Sequence, residues 1–353
     1  MRYSIHWEKH ILEFKKPAGT SRGALLEKPS WYIHITDNES GFTGTGECSI
    51  IPGLSIDIDD EIEEKLGAIS YMFTHDPVNT EPQSLYSIIE STINIEDSPA
   101  ICFGLETAIL DLINEGNKIL FRNNFSLGKA GIPINGLIWM DTYEEMWKQV
   151  KEKARGGFNC IKIKVGAMDF QKEINLIAQI REVFGGSLTL RLDANGAFSG
   201  FSALDNLKKL AGFKIHSIEQ PIKPGNWKLM AFLCENSPIP IALDEELIGI
   251  SGKENKEQLL QTVKPQYIII KPSLLGGFVA SNEWIELAEN INIGWCATSA
   301  LESNIGLNAI AQWVASFNPI LPQGLGTGSL YKNNIELPLE VIGGELWFTG
   351  KNN

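Results

Sequence analysis

Cys160-Ile161-Lys162-Ile163-Lys164-Val165 is a short apolar run with a lysine at every second position. Successive side chains of a strand point to opposite faces, so Lys162 and Lys164 share one face and the isoleucines the other. Similar short runs recur along the chain. Ile132–Trp139 precedes this one, and Ser187–Asp193, Ile215–Glu219, Ile239–Asp244, Tyr267–Lys271 and Ile291–Thr298 follow it. Amphipathic segments lie between them, with helical stripes such as Phe170, Ile174, Ile177 and Phe201, Leu204, Leu207. Strand–helix alternation on this scale predicts βα units and a parallel sheet. Seven runs in succession favour a closed barrel, although periodicity alone also allows an open doubly wound sheet. No Gly-x-Gly-x-x-Gly follows the first strand of either region, so a dinucleotide-binding fold has no support.

The predicted strands end in polar residues: Lys162 and Lys164, Asp193 with Asn195, Glu219, Asp244 with Glu245, then Lys271. Lys164, Asp193, Glu219, Asp244 and Lys271 are separated by 29, 26, 25 and 27 residues. An eight-unit barrel of about 250 residues uses about 31 residues per unit, so each group falls one unit after the last. All strand ends of a parallel barrel face one rim, and five ionisable groups converge there. A lone carboxylate at a strand end reads as a cap or turn residue. Three in succession, flanked by lysines, would repel one another unless a cation lay between them. Oxygen ligands with no histidine or cysteine nearby point to Mg²⁺ or Mn²⁺. Two adjacent ammonium groups and a metal would lower a lysine pKa until it could abstract a weakly acidic proton beside a carboxylate. A Schiff-base lysine is the competing chemistry, and it leaves the carboxylates unexplained.

Upstream, Tyr32–Thr36 alternates apolar and polar residues before the turn Asp37–Gly41 and a second run to Glu47, a hairpin signal. From about Asp59 the period becomes helical, most clearly at Ile101, Leu105, Ala108, Ile109 and Leu112. Strands followed by helices predict an α+β unit. The expected division is an α+β capping domain over 1–128, a (β/α)7β TIM-like barrel over 129–324, and a tail over 325–353 that returns to the capping domain. A formal charge of −13 argues against the electropositive surface that nucleic acid requires. The five cysteines have no zinc or disulfide spacing, which suits a reducing compartment. Met1–Lys16 lacks the apolar core of a signal peptide, and no run approaches 18 apolar residues. The chain reads as cytoplasmic, with no membrane span.

Lys162-Ile163-Lys164, Asp193-Ala194-Asn195, Glu219-Gln220-Pro221, Asp244-Glu245 and Lys271-Pro272 resemble the successive motifs of the enolase superfamily. The two-lysine arrangement is similar to its muconate-lactonizing subgroup. None of the five histidines lies beyond Asp244, where the mandelate racemase subgroup would place one. Within the subgroup, Pro17–Gly23, Thr298–Asn304 and Gly324–Gly328 resemble the o-succinylbenzoate synthase family. That resemblance implies a Mg²⁺-dependent syn dehydration of a small carboxylate substrate in menaquinone biosynthesis. It implies Asp193, Glu219 and Asp244 as metal ligands and Lys164 as the residue that takes the proton and returns it to the departing hydroxyl. Lys271 would stabilise charge on the opposite face, and Lys162 would orient the substrate carboxylate. Asn195 and Glu245 would hold the ligands.

Pro17–Gly23 reads either as a lid carrying Arg22 towards the substrate or as a plain connector between strands. Ser299 and Ser303 read as substrate contacts or as helix N-caps. The same metal site and lysines would also serve an N-acylamino acid racemase, a dipeptide epimerase or a lactonizing cycloisomerase. Dipeptide epimerases carry Asp-x-Asp near the eighth strand, where this chain reads Pro322-Gln323-Gly324-Leu325-Gly326-Thr327. A non-catalytic binding barrel would be expected to have lost a ligand or a lysine.

Overall fold

The structure is a computed structural model that describes residues 2–20, 23–75, 81–85, 94, 96–166 and 168–350. The chain begins with a three-stranded antiparallel sheet, β1 (Tyr3–Thr20), β2 (Gly23–Asp37) and β3 (Thr43–Ser49). The β2–β3 register runs from Thr36 opposite Thr43 to Ser30 opposite Ser49, the hairpin read from the sequence. The β1–β2 pairing slips between Glu13 and Ala18, around Pro17, whose missing N–H cannot join a ladder. The helices Asp59–His75 and Pro99–Ile113 follow. The predicted stripe on the second, Ile101 to Leu112, is buried in one cluster with Trp31, Ile33 and Ile35 of β2. That helix lies so close to β3 that a Cβ on Gly46 would stand 1.9 Å from the Gly104 carbonyl oxygen.

After β4 (Ile132–Pro133) the chain alternates strands with helices. The strands are β5 (Gly136–Ile138), β6 (Cys160–Lys164), β7 (Thr189–Asp193), β8 (Ser217–Glu219), β9 (Ile241–Leu243), β10 (Tyr267–Ile270) and β11 (Gly294–Ala297). These seven form one parallel sheet in chain order. The sheet curls until Gln323 and Gly324 reach both of its edges. Gly324 N donates to Ala297 O at the end of β11, and Gln323 N donates to Pro133 O while Asn135 N donates to Gln323 O just before β5. The core holds strand residues such as Ile161, Leu190, Ile218, Leu243 and Ile268 together with inner helix faces such as Ile177, Leu207 and Leu259.

Two details depart from the sequence reading. Ile132–Trp139 is not one strand, because β4 pairs with β13 (Glu345–Phe348) and only β5 joins the large sheet. Phe201 does not begin an apolar helix face. The helix starts at Ala203, and Phe201 lies fully exposed ahead of it.

The tail first follows β1, where Lys15 N donates to Leu330 O and Lys332 N donates to Glu13 O. It then forms β12 (Leu339–Ile342), which pairs with β13 in the sheet that contains β4. A third cluster joins the two halves of the chain through Leu12, Phe14 and Ile51 on one side and Leu274, Ala300 and Leu301 on the other. No helix among the described residues is long and apolar enough to cross a membrane.

Candidate active site

The parallel register sets the site. Lys164 pairs with Asp193 across β6 and β7, and Asp193 pairs with Glu219 across β7 and β8. Three successive strands therefore end level, and Asp244 and Lys271 follow the ends of β9 and β10. Lys162, Lys164, Asp193, Asn195 and Lys271 line one cavity of about 170 Å³. The rest of its wall comes from the N-terminal sheet and the loops above the large sheet, including Leu25, Ile51, Leu54, Leu137, Trp139 and Leu301.

Lysines and carboxylates interlock beneath this cavity. Lys162 Nζ donates to both oxygens of Glu219, at 2.7 and 2.6 Å, and lies 3.2 Å from Asp193 Oδ2. Lys164 Nζ lies 3.0 Å from Asp193 Oδ2 and 2.7 Å from Asn195 Oδ1. Lys271 Nζ pairs with Asp244 Oδ2. Asn195 holds a left-handed backbone (φ 43°) and donates its amide to Glu245 Oε1 at 2.9 Å, while its own N–H reaches Asp193 Oδ1. Asn195 thus links Lys164, Asp193 and Glu245.

Burial and the neighbouring charges act in opposite directions on the ionisable groups of the site. Burial pulls Lys162 down, but Asp193, Glu219 and Asp244 outweigh it and hold the ammonium above its ordinary range. Lys271 is likewise lowered by burial and raised further by Asp244, Glu219 and Glu245. Burial would raise Asp193, yet Lys162, Lys164 and Lys271 hold its carboxyl well below the usual range. Glu219 goes the other way, pushed up by burial and by Asp193. Asp193, Glu219 and Asp244 are all nearly inaccessible, and ammonium groups occupy the space between them. In this arrangement no group of three carboxylates, histidines or cysteines among the described residues is drawn close enough to hold an ion.

The remaining residues expected at the site divide. Ser299 reaches the cavity wall, although its hydroxyl donates to Glu302 Oε2 at 2.6 Å. Ser303 does not reach it. Its hydroxyl donates to Glu47 Oε2 and accepts from Ile305 N, so it caps the helix Asn304–Ala315, where an orphan N–H needs a partner. Arg22 lies outside the described residues.

Sequence reasoning missed Gln220, a fully buried side chain that donates to Glu246 and accepts from the N–H of Asp244. It also missed Glu302, which binds Ser273 and Ser299 with its two oxygens. Gln220 stood within a quoted motif, next to Glu219. Glu302 also stood within a quoted stretch, Thr298–Asn304, but nothing in it pointed to the distant Ser273 as a partner.

Comparison with known proteins places this geometry. The enolase C-terminal domain-like family matches residues 145–349. An o-succinylbenzoate synthase from Desulfotalea psychrophila is 46% identical over 97% of this chain and 98% of its own. The crystal structure of MenC from the same organism superposes with a TM-score of 0.87 at 41% identity, covering 98% of this chain and 100% of that one. A dipeptide epimerase from Enterococcus faecalis, complexed with Mg and the dipeptide L-Leu-L-Tyr, has a TM-score of 0.85 at 21% identity. It covers 99% of this chain and 98% of its own, and shares the fold. The chain belongs to the enolase superfamily and, within it, to the o-succinylbenzoate synthase family.

Proposed function

We propose that this chain catalyses the Mg²⁺-dependent syn dehydration of 2-succinyl-6-hydroxy-2,4-cyclohexadiene-1-carboxylate to 2-succinylbenzoate in menaquinone biosynthesis. The observation that carries this reading is that Lys164 and Lys271 line one cavity from strands four positions apart in the sheet. In a ring of eight, four positions is the opposite wall, so the two lysine side chains flank a planar substrate. This reading treats the fold as a closed (β/α)7β barrel, with 323–324 as the eighth strand and the N-terminal α+β unit as its cap.

The donor set fits a hard divalent cation. Three carboxylates stand at neighbouring strand ends, and their mutual repulsion is met in this structure by lysines. Asp193, Glu219 and Asp244 would hold Mg²⁺, or Mn²⁺ in its place, with Asn195 and Glu245 fixing their orientation. When bound, the cation supplies positive charge to the enediolate that develops on the substrate carboxylate.

The chain's own residues do the rest. Lys164, as the free amine, takes the proton from the ring carbon that bears the carboxylate. The electron pair left behind forms the new double bond as the neighbouring carbon–oxygen bond breaks. Lys164, now an ammonium, gives its proton to the leaving hydroxide on the same face, so water departs and the ring becomes aromatic. Lys271 steadies the negative charge from the other face. Lys162 orients the substrate carboxylate. Five free, buried cysteines are in keeping with a cytoplasmic enzyme.

The test is an ultraviolet assay of the purified protein with this substrate and Mg²⁺, repeated with EDTA and with Lys164→Ala. Metal-dependent loss of the diene that disappears in the variant is expected. Absence of turnover by the wild type sinks the reading, and α-deuterium exchange into N-succinyl amino acids or dipeptides would then identify a racemase or epimerase.

A further inference from the structure

Behind the cavity wall, the fully buried Glu302 ties together two loops that carry residues of the site. One of its carboxylate oxygens accepts from Ser273 Oγ, and the other accepts from Ser299 Oγ at 2.6 Å. Ser299 stands on the cavity wall. Ser273 is also fully buried and lies two residues beyond Lys271, in the short helix Pro272–Leu275. In the same turn Leu274 N donates to Lys271 O at 2.9 Å. The turn that begins at Lys271 is thus closed on itself by one bond and moored to Glu302 by another.

A buried carboxylate needs donors for its oxygens and a counter-charge nearby. The two serine hydroxyls are the donors. The counter-charge comes from the N-terminal unit, where Lys28 of β2 is fully buried and donates to Ser49 Oγ. Burial pushes the Glu302 carboxyl up, against the pull of the two hydroxyls and of Lys28. Glu47, the other carboxylate whose charge acts on Lys28, accepts the N–H groups of Ser303 and Gly306. Cap and large sheet therefore meet at Glu302 through charge as well as through apolar packing. Lys271 Nζ pairs with Asp244 in this structure, and Asp244 is one of the carboxylates a cation would claim. The mooring through Ser273 does not depend on that partner.

We infer that Glu302 is a positioning residue for the dehydration, acting through Ser273 to fix the turn that presents Lys271 to the substrate. The inference rests on the dehydratase reading. A group displaced by about 1 Å can cost about 100-fold in rate, so the loss of either partner should appear in turnover. If Lys271 acts on charge that develops in the transition state, kcat falls while KM holds.

The test compares Ser273→Ala, Glu302→Ala and the double variant in steady-state kinetics with the cyclohexadiene substrate. Calorimetric titration with Mg²⁺ and thermal melting are run on the same proteins. Ser273→Ala should lower kcat roughly 10–100-fold, with KM and Mg²⁺ affinity unchanged. Glu302→Ala should lower kcat at least as far, and the double variant should lose no more than Glu302→Ala alone. A folded Ser273→Ala with the kcat of an active wild type overturns the role of Glu302 and leaves the dehydratase reading standing. So do losses that multiply in the double variant, and so does weakened Mg²⁺ binding in Ser273→Ala, which marks general damage to the site. If Glu302→Ala does not fold, kcat, KM and Mg²⁺ affinity of Ser273→Ala decide alone. An inactive wild type overturns both readings.

Discussion

The ammonium of Lys162 lies against both carboxylate oxygens of Glu219, at 2.7 and 2.6 Å, with each side chain withdrawn from solvent. Removing one member of a buried ion pair leaves the other charged and uncompensated, at a cost of roughly 3–5 kcal/mol. Lys162→Ala should therefore unfold at a markedly lower temperature than wild type in EDTA. Mg²⁺ should restore more stability to the variant than it adds to wild type, because a cation can take over the partner role. Thermal scans with and without Mg²⁺ check this; equal shifts in the two proteins would count against three carboxylates that share a cation.

Asn195 bridges Lys164 and Glu245 and directs its backbone N–H at Asp193. Groups that orient ligands in this way typically contribute 10–100-fold in metal affinity. Asn195→Ala should weaken Mg²⁺ binding by about that factor, read by calorimetric titration of the protein without substrate. Unchanged affinity would reduce Asn195 to a turn residue.

Asp57 lies outside the catalytic region and accepts the N–H groups of Ala100 and Ile101, at the start of the helix Pro99–Ile113. Burial pushes its carboxyl up to about 6, against the pull of those N–H groups. The unfolded chain releases this proton near pH 3.9, so between about pH 4 and 6 the folded state holds more protons. Stability contributed by this group then falls as pH rises through that window. The stability difference between wild type and Asp57→Asn should shift against wild type from pH 4 to pH 7, by up to roughly 2–3 kcal/mol. Urea titrations at both pH values measure it, and a difference independent of pH would refute the assignment.

Gly46 meets Gly104 where β3 crosses the helix, and an added Cβ would stand 1.9 Å from backbone oxygen. Backbone on both sides cannot swing aside as a side chain would. Gly46→Ala should cost at least about 1–3 kcal/mol in urea unfolding.

The sequence made the strands legible because buried parallel strands are apolar and end in chemistry. Lys162, Lys164, Asp193, Glu219, Asp244 and Lys271 could be placed on one rim by counting residues. Their interlocking could not, because which ammonium pairs with which carboxylate depends on strand register and depth. Asp57 and Glu302 were invisible for a related reason: Asp57 acts on N–H groups 43 and 44 positions away, and Glu302 reaches Ser273, 29 positions back. Ser303 read as a substrate contact or as a helix cap because a serine at a strand end and a serine at a helix start are the same letter, and the structure shows the cap. Phe201 misled because its spacing from Leu204 matched a helix that in fact begins after it.

Gln323 and Gly324 bond to both edges of the curled sheet, and Leu330 and Lys332 bond to β1. These contacts join β1 and the edges of the sheet to residues made after all of the sheet's strands. On the ribosome, β1 to β11 emerge with no partner for the sheet's two open edges. The pocket can take shape only after residue 324 has cleared the exit tunnel. Until then the nascent chain presents unpaired strand edges to its neighbours, a period in which holding chaperones would matter most for yield.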